Sequence, residues 1–247
     1  WRGTSTTGPD GKPRLSDETK QFRATMNTAL HQTANAVTKR AFLRYLDNVV
    51  SKMPEGQRHV LATAGGVAAG KDYAIGKIGE VQSISKAASA IWNSAGEQNS
   101  TELPWLADEC AKRGIKLTAV YVNANPQEVW ATPKGGVIER AGNKGRMVDA
   151  RAFADSYTHG ARNFQAFASQ HANNPMVATA VIDNPRGGEP TQLPGVPQHV
   201  LAMDPEQLYA SCLQQLSTSP QATPAIKAGG AAGLRIWGPP TVGTAAK

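Results

Sequence analysis

The sequence predicts an α/β domain, a parallel sheet flanked by helices, preceded by an N-terminal helical extension. Three observations predict it. Apolar, β-branched runs alternate with helix-period segments through the middle of the chain, the order that builds a parallel sheet. One of these runs, 58–64, passes directly into the glycine-rich stretch "AGGVAAGKD", which is followed by a helix-like segment. The chain has 247 residues, 40% of them hydrophobic, enough to bury a proper core.

In order, residues 1–14 are rich in Gly, Pro, Ser and Thr and are expected to be loose. From 16 to about 53, apolar residues recur at Phe22, Met26, Leu30, Val37, Ala41, Leu46 and Val50, which puts them on one face of a long helix or helix pair ended by Pro54 and Gly56. The first strand is expected at 58–64, a helix at 71–80 and a second short strand at 89–92. Pro104 is expected to open a helix that Gly114 stops, and the β-branched run 116–122 is the clearest strand. Helical patterns follow at 136–144 and 148–171, then a strand at 176–182, a polar loop at 183–198, and a helix with Asp204 as N-cap and Pro205 at its first position. After Leu216 the chain turns to Ser, Pro, Ala and Gly. The expected division is therefore 1–56 loose segment and helical extension, 57–216 the α/β domain, and 217–247 an irregular tail.

Composition limits the function classes. The formal net charge of +7 favours an anionic partner, whether nucleotide, nucleic acid or acidic protein, unless the lysines merely solubilise the surface. Cys110 and Cys212 are the only cysteines and stand apart, so neither a disulfide framework nor a Cys/His metal site is expected, and the reducing cytoplasm is the expected site of action. No run of about 18 apolar residues occurs, so no membrane partner is expected, and no signal-peptide order opens the chain. It begins at Trp1 rather than Met, as expected of a piece of a longer protein or of a processed or trimmed chain.

The stretch Gly65, Gly66, Val67, Ala68, Ala69, Gly70, Lys71 has the spacing G-x-x-x-x-G-K. Between a buried strand and a helix, such a loop turns successive backbone N–H groups toward a phosphate, and the lysine reaches the outer phosphates. Where a Ser or Thr hydroxyl would normally follow to hold magnesium, the chain has Asp72. A carboxylate beside a triphosphate is repelled unless a metal intervenes, and Mg2+ accepts carboxylate oxygens readily, so Asp72 is the candidate metal ligand. The alternative is a solvent-facing acid favoured by the helix dipole.

Beyond the loop, "AIWNSAGEQNSTELPWLADECAKRGIKLTAVYVNANPQEVW" and "GVIERAGNKGRMVDARAFADSYTHGARNF" resemble the zeta-toxin family of P-loop kinases, over roughly 58–184. The resemblance implies a P-loop kinase-like domain with ATP and Mg2+ as cofactors, transferring phosphate to a hydroxyl of a nucleotide-containing small molecule such as a UDP-amino sugar or an NAD-like dinucleotide. It further implies a toxin or effector, delivered as part of a larger protein, with an antitoxin or immunity protein as partner. Lys71 matches the family's loop lysine, and Arg140 and Arg146 its phosphate-clamping arginines, with Arg151 and Arg162 as alternates. Such forks stabilise charge on the transferring phosphoryl group. Asn184, after the last parallel strand, falls where it would meet the adenine edge, unless Asp183 and Asn184 simply form a turn before Pro185.

The departure from the family is Asn93, 22 residues after Lys71, where the family has an aspartate that acts as base. An amide has no basic lone pair at neutral pH. Three readings stand open: Asp72 or Glu97 serves as base, the chain binds nucleotide without turnover, or Asn93 replaces an aspartate in an inactive form. The third is favoured. Two further classes are a polynucleotide kinase and a non-catalytic nucleotide-binding interaction domain. The first is disfavoured because no basic run interleaved with aromatics appears. His31, His59, His159, His171 and His199 lack metal-ligand spacing, Ser94 lacks a nucleophile elbow, and Trp92, Trp105 and Trp130 are read as core rather than as stacking platforms.

Overall fold

The computed structural model of the chain describes residues 5–7, 13–15, 35–94, 99–132, 135–144 and 148–231. Two short strands, β1 (Ser5–Thr7) and β2 (Pro13–Leu15), pair antiparallel. The loose reading of 1–14 is corrected to that extent: Thr6 and Thr7 are β-branched and suit a strand. Helix α1 covers 35–48, followed by 3-10 turns at Val50–Lys52 and Glu55–Gln57. The expected helical positions Phe22, Met26 and Leu30 lie outside the described residues.

The α/β expectation holds. Strands β3 (His59–Gly65), β4 (Ala90–Asn93), β5 (Lys116–Asn123), β6 (Val177–Asp183) and β7 (Thr191–Leu193) form one sheet in the order β4-β3-β5-β6-β7. The first four run parallel and β7 pairs antiparallel with β6. Helices α2 (Lys71–Lys77), α3 (Gly79–Ala87), α4 (Asn99–Ala111), α5 (Pro126–Ala131), α6 (Val137–Lys144) and α7 (Ala150–Gln170) connect the parallel strands. Helices α8 (Gln198–Leu201), α9 (Pro205–Thr218) and α10 (Pro224–Ala231) follow β7. Central strands covered on both faces read as nearly continuous apolar runs, as β3 and β5 do. Leu61, Val120, Val122 and Ile182 pack into one core with α2, α3, α5, α6 and α9. Val60, Ala62, Ala64, Leu117, Ala119 and Tyr121 face the other way, into a core with α1, α4 and α8.

Helix α7 joins both cores. Phe153 and Tyr157 in its first half belong to the first, and Ala161, Phe164 and Phe167 in its second half to the other. The side chains of Phe153, Tyr157 and Phe164 are almost wholly buried, each contributing about 1.5–3 kcal/mol of apolar burial. The helix starts firmly because the Asp149 carboxylate accepts from the Ala152 N–H at 2.8 Å.

Four expectations are corrected. The segment 71–80 is two helices, broken at Ile78 (φ −87°, ψ 109°) between the weak helix formers Gly76 and Gly79. Pro104 lies inside α4, not at its start; it is the sixth helical residue, so it removes only one early backbone donor. The polar loop 183–198 contains β7, which caps the sheet edge with three residues. The tail is helical before it leaves the described residues: α9 runs to Thr218, and α10 places Ile226 beside Ala222 in the first core. Alanine-rich sequence with Pro224 at the first position and the Thr223 hydroxyl accepting from the Ile226 N–H at 3.3 Å accounts for that helix. Among the described residues, no helix is long and apolar enough to cross a membrane.

Candidate functional site

The chain leaves β3 for β4 on one side of it and later returns to β5 on the other. In open α/β sheets of this order, the crevice outside the carboxyl ends of the two strands flanking that reversal is where ligands bind. Gly65 ends β3 there, paired with Val122 of β5. Its φ is 140°, and a Cβ on it would run into the Val122 carbonyl, so only glycine lets the chain turn out of the sheet at this point.

The loop that follows is held in an unusual backbone shape. Ala68 is left-handed at φ 61° and Gly70 at φ 76°. For an L-residue such as Ala68 this costs about 1–2 kcal/mol. The N–H groups of Ala68, Gly70, Lys71 and Asp72 find no acceptor among the described residues. The Ala69 N–H between them donates to the Gly66 carbonyl at 3.2 Å, so the consecutive free amides are those of Gly70, Lys71 and Asp72, and such amides beside a left-handed residue form a concavity suited to an anion. The partly buried Lys71 ammonium donates to the carbonyls of Gly65 at 3.3 Å and Gly66 at 3.5 Å. Burial pushes its pKa below the ordinary lysine value, and the neighbouring Asp72 carboxylate acts in the opposite direction. A cation satisfied by two long bonds to carbonyls is poised for a better partner.

Four side chains from distant parts of the chain support the loop. The Tyr157 hydroxyl donates to the Val67 carbonyl at 3.0 Å while its ring lies against Gly66, where a Cβ would overlap it. The Ser156 hydroxyl accepts from the Val67 N–H at 3.2 Å. The Asn184 amide donates to the Ala69 carbonyl at 2.7 Å, and Arg186 reaches the carbonyls of Ala68 and Gly135 at 3.5 Å each. Tyr157, Ser156 and Arg186 were not singled out from the sequence. A helix-face Ser-Tyr pair and an arginine after "DNP" carry no local signal of a loop some ninety to 118 residues away in the chain.

The structure brings part of the expected site together. Gly65 to Asp72 and Asn184 form one cluster; Asn184 pins the loop through Ala69. Asn93 ends β4 in register with Thr63, two residues before Gly65, and its side-chain oxygen accepts from the Thr63 hydroxyl at 3.0 Å. It is thus exposed at the same end of the sheet as the loop. Asp72 is exposed on the first turn of α2. Arg140 is the fourth residue of α6, half-buried, and no hydrogen bond joins it to the loop. Glu97 and Arg146 lie outside the described residues.

The alternates are engaged elsewhere. Arg151 pairs with Glu206, at 2.7 Å for one of its two bonds, and stacks on Tyr209, while Arg162 donates to the carbonyls of Leu201 and Met203. Arg151 thus ties α7 to the start of α9, and Arg162 ties it to the end of α8 and the turn that follows. Trp92 and Trp130 are core residues, and Trp105 packs against the second core. No group of three or more His, Cys, Asp or Glu able to hold a metal occurs among the described residues. No protein-family model matches the chain, and no curated protein matches it.

Proposed function

We propose that the chain binds the phosphates of ATP in the loop Gly65–Asp72 and is an ATP- and magnesium-dependent phosphotransferase of the zeta-toxin kind, acting on a hydroxyl of a small nucleotide-containing acceptor. The observation that carries the reading is Lys71 folded onto the carbonyls of Gly65 and Gly66 beneath a row of free amides, at the carboxyl-end crevice between β3 and β5.

The residues fit the cofactor. Glycine is required where the loop approaches Val122 and Tyr157, and the amides and Lys71 would hold the phosphate chain. Magnesium is usually held by one or two carboxylates with the substrate's own phosphates, so a lone exposed Asp72 suffices. The bound ion would neutralise charge developing on the transferred group. The chain's own contribution is position: the amides orient the phosphates, Lys71 supplies charge, and Arg140 stands by on α6 as the further cation. Asn93 would orient the acceptor hydroxyl without taking its proton.

Asn93 also favours a second reading, nucleotide binding without turnover, because the side chain in the base position is an amide already engaged with Thr63. Calorimetry with ATP and magnesium tests the shared part. Lys71→Ala is expected to weaken binding at least about tenfold, the loss of a charged hydrogen bond; equal affinity in both proteins overturns both readings. A screen of nucleotide and nucleotide-sugar pools for a phosphorylated product then separates them.

A further inference from the structure

At the carboxyl ends of β5 and β6, next to Asn184 that pins the glycine loop, lies a further concavity. Its volume is about 750 Å³, within the range of small-molecule sites. Its floor is the carboxyl ends of β5 and β6 with the α5 turn, and its wall is α8 and the first turn of α9. Pro126, Pro185, Leu193, Val200, Met203 and Leu208 supply an apolar lining.

The fixed charges are one-sided: Glu128, Asp183 and Asp204 line the cavity and no lysine or arginine does so among the described residues, while His199 and the amides of Asn125, Gln127 and Gln207 add groups that donate as well as accept. Asp204 is engaged in capping α9 and one oxygen of Glu128 accepts from Asn125, which leaves acceptor capacity chiefly at Asp183 and Glu128. A further acceptor has no partner at all. Asn123 is 6% exposed, and its amide nitrogen donates to the Asp183 carboxylate at 2.7 Å. That bond fixes the amide's orientation and leaves the Asn123 Oδ1 buried without a hydrogen bond. A buried acceptor left unpaired costs about 1–3 kcal/mol, which a small shift of the Asn123–Asp183 pair toward a donor in the cavity would relieve.

We infer that this cavity is a binding site for a small ligand rich in hydrogen-bond donors and without negative charge, a polyol or amino sugar. The carboxylates of the floor, Asp183 and Glu128, call for hydroxyl and ammonium donors and repel phosphate, and the apolar strip suits the faces of a sugar ring. The site complements the glycine loop, which offers amides and a lysine to an anion. Asp183 and Asn184 are consecutive, one lining the cavity and the other pinning the loop, so the two sites share a wall. The inference rests on the cavity alone and stands whether or not the loop binds ATP.

The test uses the full chain and three probes: glucose, glucosamine, which carries an amine in place of its C2 hydroxyl, and glucose 6-phosphate, which carries a phosphate on its C6 hydroxyl. Calorimetry is expected to give affinity in that order, cation over neutral over anion. Gln207→Trp, at an exposed α9 position on the cavity wall, is expected to weaken glucosamine at least about tenfold by filling the space. Asp183→Asn keeps an acceptor for Asn123 and is expected to erase most of the preference for glucosamine over glucose. Lys71→Ala is expected to leave all three affinities unchanged. Tightest binding of glucose 6-phosphate, no binding of any probe, indifference to Gln207→Trp, or loss of binding in Lys71→Ala each overturns the inference, while the last leaves phosphate binding at the loop intact as a question for ATP.

Discussion

The Tyr157 hydroxyl donates to the Val67 carbonyl at 3.0 Å, while the Tyr157 ring lies on Gly66, so one side chain of α7 holds the glycine loop by both a bond and a surface. Burial raises the phenol's pKa well above its ordinary value, so the hydroxyl stays a donor at every working pH. Tyr157→Phe leaves the Val67 carbonyl unpaired and is expected to lower stability by about 1–2 kcal/mol, with weaker ATP binding as the loop loosens. Denaturant midpoints and calorimetry on the pair of proteins measure both; unchanged values in both would show that the loop holds its shape without α7.

Gly66→Ala tests the surface half of the same contact. The added methyl meets the ring of a buried aromatic that cannot withdraw, and overpacking of this kind costs about 1–3 kcal/mol. The expected signature is coupling: in the background Tyr157→Leu, which opens space, the same alanine is expected to cost markedly less. A double-mutant cycle reads the difference, and strict additivity would mean that the loop shifts away from α7 freely.

Ala68 carries the reverse expectation. At φ 61° it is held in a conformation that glycine tolerates and alanine does not, so Ala68→Gly is expected to stabilise the protein, by up to about 1 kcal/mol after glycine's greater unfolded-state entropy is counted. A drop in melting temperature would mean that the alanine methyl makes contacts worth more than the strain.

These relationships mark where sequence reading ends. The β-branched period of β5, the Asp204-Pro205 start of α9 and the glycine spacing of 65–71 are local, and each was legible because a strand, a cap or a loop states its requirement within a few residues. The supports of the loop are not local. Ser156 and Tyr157 are ordinary positions of an amphipathic helix until topology puts that helix under Val67, and Arg186 is one more loop arginine until β6 ends beside Ala68. Arg151 shows the converse: a helix-face arginine that suits a phosphate clamp by type, yet is taken by Glu206 from 55 residues away. The helix at Pro224–Ala231 is not legible locally because alanine and glycine look like linker composition, although alanine is the best helix former when an apolar face such as Ile226 finds a core.

Lys71 gives a pH prediction. Its folded pKa lies below the ordinary value, chiefly through burial, so the unfolded chain binds more protons in the window between the two values. Stability of the ligand-free protein is therefore expected to rise as pH rises through that alkaline window, and the burden of the buried charge is fully present below it. Lys71→Met removes the charge: the variant is expected to be more stable than the parent at neutral pH, to lose the alkaline rise, and to lose ATP binding. Thermal melts from neutral to alkaline pH check the sign. A variant less stable than the parent at neutral pH would mean that the two carbonyl bonds to Lys71 outweigh its burial.

Under the proposed phosphotransfer, Asn93 is the position on which turnover is expected to depend. It ends β4 at the loop's end of the sheet, exposed, with its oxygen accepting from the Thr63 hydroxyl at 3.0 Å. An aspartate there keeps that acceptor oxygen, so the strand pairing is not asked to change, and its second oxygen replaces the amide nitrogen with a group able to take a proton. General-base assistance contributes typically 10²–10⁴ in rate. Asn93→Asp is accordingly expected to raise phosphotransfer by at least about 10²-fold while leaving ATP affinity nearly unchanged, since Lys71 and the loop amides are untouched. The competing base is Asp72, exposed on the first turn of α2. If Asp72 takes the proton, the chain as it stands already turns over, Asp72→Asn abolishes that rate at every magnesium concentration, and Asn93→Asp adds nothing. If Asp72 only holds the metal, Asp72→Asn shifts the magnesium dependence and leaves a measurable maximal rate. Turnover of the parent and both variants across a magnesium series, with the same nucleotide-sugar acceptor, distinguishes the two; no gain from Asn93→Asp together with complete loss from Asp72→Asn would put the base on α2 rather than at the tip of β4.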